Sequence, residues 1–235
     1  MTFSFTGVAY LLGFFATGLL AYRFFQYWRR EKTIVSKLFF YFAAIFSFFM
    51  FITAIAGLFF AQNTQILKLT VIFAAFLQGL AVAIIGYLIV YLKFPQISPW
   101  LGFIPVFLLG LTATILTILL PFSPYLEEGG GINWGFQPKV DFIRFFLFLI
   151  TFLPLIFILI QQIRISQDPI VKARALGISL ILSFGIFTGL LDFFLERILK
   201  LGAVSSDIAL GFLSIVVFII IIRTQKLPSS DYVKK

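Results

Sequence analysis

The sequence predicts an all-α polytopic membrane protein, a seven-transmembrane-helix bundle with its N-terminus outside and its C-terminus cytoplasmic. Three observations predict it. Only 11% of the 235 residues are charged and 61% are hydrophobic, with a mean hydropathy of +1.10, whereas soluble domains carry about 25% charged residues. The apolar residues gather into seven runs, each close to the ~20 residues that a helix needs to cross a bilayer. The polar links between the runs alternate in charge. One set (residues 23–37, 93, 164–174 and 223–235) holds 13 of the 18 Lys and Arg. By the positive-inside rule that set is cytoplasmic.

Taken in order, span one is 3–22, read as an uncleaved signal anchor because no basic region precedes it. A basic first loop follows, with Arg23, Arg29, Arg30, Lys32 and Lys37. Spans two and three are 38–60 and 69–92, joined by the short link AQNTQILK and therefore an antiparallel pair. Span four, 100–120, is stopped by Pro121 and Pro124, since proline cannot continue the hydrogen-bond ladder. The longest polar stretch, FSPYLEEGGGINWGFQPKVD at 122–141, carries three consecutive glycines and reads as a turn or small hairpin lid. Span five, 142–163, holds Pro154 in its middle, which is expected to kink it. Spans six and seven are 175–198 and 203–222, and residues 224–235 form a short cytoplasmic tail.

Composition removes much chemistry. There is no cysteine and no histidine, so thiolate nucleophiles, disulfides, His-based zinc sites and imidazole acid–base catalysis are excluded. No nucleophile and base constellation stands out among the remaining Ser, Thr, Tyr, Asp and Glu. The sequence reads as a non-enzyme with no cofactor. The net charge of +9 is explained by topology and anionic lipid headgroups, not by nucleic acid.

The candidate ligand-binding residues are Gln78, Trp134, Arg144, Asp192 and Glu196. Gln78 is the one strongly polar side chain inside span three; an interhelical hydrogen bond is the plainer use for it. Trp134 is either an interfacial anchor or a lid side chain over a pocket. Arg144 starts span five at the outer level. Asp192 and Glu196 lie near the far end of ALGISLILSFGIFTGLLDFFLERILK, while acids are otherwise almost absent from the spans. On a regular helix they are i and i+4, on one face. Two like charges there call for a cation between them or for one carboxyl that keeps its proton more readily than usual, with Lys200, Arg197 and Arg144 as further salt-bridge partners. That outer cluster is either a structural network or a pocket.

Several seven-span families serve as templates. Microbial rhodopsins need a lysine in helix seven, and IALGFLSIVVFIIII has none. The hydrolases related to adiponectin receptors bind zinc through histidine, which is absent here. The lone Pro95-Gln96 pair of the PQ-loop transporters sits in a link without a repeat partner. The basic first loop, the outer loop GGGINWGFQP, the linker RISQDPIVKARALGISL and the acid in GLLDFF occur in the order and places that resemble the N-terminal seven-helix sensory region of certain bacterial histidine kinases. That resemblance implies a sensory or receptor-like input module in a prokaryotic plasma membrane. It would bind a small-molecule ligand or sense the membrane at the outer face. About a dozen residues follow the last span where that family has an output domain, so a separate cytoplasmic or membrane signalling partner is expected. A small-solute or ion transporter or channel is the alternative, using Gln78, Asp192, Glu196 and the Pro154 kink as a path.

Overall fold

A computed structural model describes residues 4–135, 137–199 and 201–225. Seven helices, each long and apolar enough to cross a membrane, form the body of the protein. They are α1 (Phe5–Glu31), α2 (Ile34–Phe59), α3 (Thr64–Lys93), α4 (Trp100–Leu119), α5 (Pro138–Ile165), α6 (Pro169–Phe193) and α7 (Ala203–Thr224). Between α4 and α5 the chain makes a small antiparallel hairpin of β1 (Tyr125–Leu126) and β2 (Ile132–Asn133), with Tyr125 opposite Asn133. The protein is an all-α seven-helix integral membrane protein, and bulky side chains such as Phe15, Phe59, Leu69, Phe142 and Phe212 face outward, into what the bilayer supplies as solvent.

The helices are longer than the apolar runs. Arg23, Arg29, Arg30 and Glu31, expected in a basic loop, are the last turns of α1. Only Lys32 and Thr33 separate α1 from α2, with Lys32 in the left-handed region at φ 52°. Likewise α6 begins at Pro169, so the basic linker up to Arg174 is largely helical. Hydropathy marks the hydrocarbon, while a helix continues into the headgroup layer wherever its ends are capped. The caps are local: Thr33, Asn63 and Asp168 accept from the backbone N–H of Ser36, Ile66 and Ile170. The helix α5 runs unbroken through Pro154. At the other end of α6 the chain changes winding, from α-helix to a π-helical turn at Phe194–Ile198.

Each helix packs against its neighbours in chain order, and α7 closes the ring against both α6 and α1. The core at the centre is apolar, with Phe24, Phe42, Ile85, Leu155, Leu182 and Ile221 drawn from six helices. The seventh helix, α4, sits at the periphery against α3 and α5. The α3–α4 contact is backbone to backbone: Gly86 meets Gly102, and a Cβ on Gly79 would lie 3.0 Å from the Cα of Gly110. Small residues permit such an approach where the hydrophobic effect cannot drive association.

One end of the bundle carries the hairpin; the opposite end carries most of the described cations. They are called here the hairpin end and the basic end.

Candidate functional site

The hairpin end is organised by a clasp that joins the loop to the first and last helices. Thr6, in the first turn of α1, is fully buried. Its hydroxyl donates to Oδ2 of Asp207 on α7 at 2.5 Å and accepts from the backbone N–H of Ile132 in β2 at 2.7 Å. The backbone N–H of Phe5 donates to the carbonyl of Gly130 at 2.9 Å. Glu127, at the start of the hairpin turn, accepts from the backbone N–H of Ala203 at 2.8 Å through Oε2 and from Asn133 Nδ2 at 3.1 Å through Oε1. The N-cap of α7 is Gly202, which has no side chain to cap with. Glu127 therefore supplies from the hairpin both the acceptor and the negative charge that a helix N-terminus favours. Gly131 fits because a Cβ there would lie 2.7 Å from the backbone nitrogen of Val204.

Below the clasp lies an aromatic and cationic layer. Trp134 is half-buried and meets Tyr10 of α1 edge to face, with centroids 6.1 Å apart. Tyr10 in turn meets Phe49 of α2 at 5.9 Å. Ile132 and Trp134 pack on Ala56, Ala61 and Leu67 at the α2–α3 turn. Beside that floor a concave pocket of about 600 Å³ opens, lined by Leu58, Phe60, Ala61 and Gln62 among others. Arg144, in the second turn of α5, donates from Nη2 to Oγ1 of Thr117 on α4 at 3.1 Å. Its electrostatic neighbours are Asp141 and Tyr10. Of the residues expected from sequence, Trp134 meets Tyr10 by ring contact, and Arg144 lies within its electrostatic reach.

The other three stand differently. Gln78, halfway along α3, is half-buried and makes no hydrogen bond among the described residues. Asp192 is exposed near the end of α6. Glu196 falls in the π-helical turn, and its side chain, like those of Arg197 and Lys200, lies outside the described residues. Because the π-helix winds wider than an α-helix, the regular i, i+4 face expected for Asp192 and Glu196 is not continued. Among the described residues no three acids gather as a metal site.

Sequence reasoning passed over Thr6, Tyr10, Glu127 and Asp207 as site residues. Asp207 carried a signal, being an acid that opens an apolar helix; the structure buries it at 6% exposure, and a buried acid needs partners. Thr6 carried none.

Mid-bundle, the chemistry is sparse. The buried hydroxyls of Thr53, Thr114 and Thr151 donate to carbonyls four residues back in their own helices, at 2.8–3.0 Å. They are satisfied locally and line no route between helices. Comparison with known proteins returns no match, whether by family, by sequence among curated proteins or by fold among solved structures.

Proposed function

We propose that the protein is a receptor-like, sensory integral membrane protein. It reads a small ligand or the state of the membrane at the hairpin end, and passes a helix shift to a signalling partner at the basic end. The hairpin end faces outward from a prokaryotic plasma membrane, and the basic end faces the cytoplasm. The protein acts by binding and change of shape, not by catalysis. One observation carries this reading: the hairpin is hydrogen-bonded to α1 and to α7, through Phe5 and Thr6 on one side and Ala203 on the other. These two helices also pack against each other. A ligand that moves the hairpin must strain or release bonds to both, and packed helices shift as discrete units. The layout shared with the sensory region of bacterial histidine kinases supports the same reading. The rival transport reading is weakened by an apolar core and by the buried mid-helix hydroxyls of Thr53, Thr114 and Thr151, which bond within their own helices, since a solute path across a membrane needs polar groups aimed into it.

Coupling is testable without knowing the ligand. The chain has no native cysteine, so Lys32→Cys and Lys172→Cys carry a spin-label pair at the basic end without background. Their distance distribution is measured in lipid nanodiscs in the otherwise native protein and with Thr6→Val added. A shifted or broadened distribution at the far end is the expected result. An unchanged one, with the hairpin itself loosened, would make the hairpin a passive cap and sink the proposal.

A further inference from the structure

At the basic end, α1, α6 and the end of α7 converge on one arginine of α6. Arg174 of α6 lies over the ring of Tyr27 of α1, 3.8 Å from its centroid. Its Nη1 donates to Oε1 of Glu31 at 2.7 Å. Its backbone carbonyl accepts from Nε2 of Gln225, just past α7, at 3.1 Å. Gly177, one turn on, touches Thr224 and keeps α6 close to α7. Tyr27 is buried, and Arg23, one turn earlier on α1, lies within its electrostatic reach.

The hydrogen bonding here is incomplete on one side. Nε and Nη2 of Arg174 are buried and make no hydrogen bond among the described residues; the same holds for Nε of Arg23. Nε and Nη2 form one edge of the guanidinium fork, the geometry that takes two oxygens of a phosphoryl or carboxyl group at once. Leaving such donors buried and unmade costs free energy, so an arrangement that fills them is favoured. The acid in contact, Glu31, is half-exposed at 38% and occupies the opposite corner of the fork. Its other oxygen accepts from Ser36 Oγ at 3.3 Å. Arg174 therefore holds one half-exposed carboxylate, while Arg23, which donates from Nη1 to Gln26 Oε1 at 3.5 Å, has no acid bonded to it among the described residues.

Depth fits a headgroup. The helix α1 has 27 residues, about 40 Å at ~1.5 Å per residue, against a hydrocarbon core of about 30 Å. Counted from Phe5, the hydrocarbon boundary falls near Phe25, with Arg23 just inside it and Tyr27 and Glu31 beyond. Arg174, the sixth residue of α6, sits at the matching level. Basic pockets between helices at this depth receive anionic headgroups.

We infer that Arg23, Tyr27 and Arg174 form a binding site for a phosphoryl anion, with Glu31 as its resident placeholder. The ligand engages the free edge of Arg174 and Nε of Arg23 and takes over from Glu31 the neutralising of the Arg174 charge, while Tyr27 holds the guanidinium plane. A lipid phosphodiester is the source that the depth favours; soluble phosphate shares the chemistry.

The test is retention of phosphatidylglycerol against phosphatidylcholine by native mass spectrometry of the purified full chain, with sodium phosphate as competitor. The native protein should retain phosphatidylglycerol about tenfold over phosphatidylcholine, the size of one charge-assisted contact. E31Q should increase retention, because the placeholder loses its charge. R23Q and R174Q should reduce it to the phosphatidylcholine level. R174K keeps the charge but not the fork, and should lose the preference while folding as the native chain does. Displacement by millimolar phosphate would keep the site and assign it to the soluble anion. Undiminished preference in R174K would reduce the site to general basic attraction and overturn the inference, as would a fall in E31Q, which would make Glu31 a structural brace.

Discussion

Thr6 shows how much one hydroxyl can hold. It bonds two partners that are 126 and 201 residues away in sequence, the N–H of Ile132 and the carboxylate of Asp207. Thr6→Val keeps shape and removes both bonds, leaving a buried N–H and weakening the support of a buried acid. Each such loss costs about 1–3 kcal/mol, so the variant is expected to lose roughly 2–4 kcal/mol in denaturant-induced unfolding in micelles. Thr17→Val is the control: its hydroxyl bonds only carbonyls of its own helix, Gly13 and Phe14, and it should lose under about 1 kcal/mol. A loss in Thr6→Val no larger than the control's would remove the clasp as a stabilising feature. The contrast also explains what was legible at this scale. Trp134 and Arg144 stood out because indole and guanidinium groups are conspicuous beside apolar spans. Thr6 looks like any threonine near a helix start, and only the folded chain brings Asp207 to it.

At the scale of elements, hydropathy located seven helices and misplaced their ends. It read α1 as stopping at Tyr22 and put its last basic turns in a loop, because it reports the thickness of hydrocarbon and not the reach of a capped helix. It also assumed one winding throughout, so the π-helical turn after Asp192 was invisible. The hairpin was legible, since three consecutive glycines followed by Ile132, Asn133 and Trp134 are turn chemistry. The α3–α4 seam was not, because glycines 79, 86, 102 and 110 fall at spacings of seven and eight and form no familiar motif. Its energetics are nonetheless sharp. A Cβ on Gly102 would lie 2.8 Å from the carbonyl carbon of Gly86 and 2.6 Å from Val90 Cγ2. Backbone cannot yield as a side chain does, so Gly102→Ala should cost about 1–3 kcal/mol in the same unfolding assay. Gly211→Ala places its methyl 3.6 Å from Leu12 Cδ1, an ordinary contact, and gains helix propensity worth up to about 1 kcal/mol. Equal losses in the two variants would mean that α3 and α4 do not meet through backbone.

For the whole molecule, the decisive property is which end faces which side. Closing the ring brings α1, α6 and α7 together at the basic end, where Glu31 pairs with Arg174, and brings the hairpin onto α1 and α7 at the other end. The two candidate sites therefore lie on opposite faces, and a sensory reading needs the hairpin outside. Charge asymmetry is the expected determinant, since Lys and Arg are retained on the cytoplasmic side during insertion, and ten of the described ones lie at the end opposite the hairpin. Absence of cysteine makes the assignment direct. Glu128→Cys lies at the exposed turn of the hairpin and Lys172→Cys at the exposed start of α6. A membrane-impermeant maleimide applied to intact cells should label the first and spare the second, and permeabilised cells should label both. The reverse pattern would put the basic end outside, so that a stimulus acting at the hairpin would have to arise in the cytoplasm. It would also move the phosphoryl site to the outer leaflet, leaving its chemistry intact while removing the sensory topology. The labelling result and the lipid-retention result thus bear on different claims, and each can fail alone.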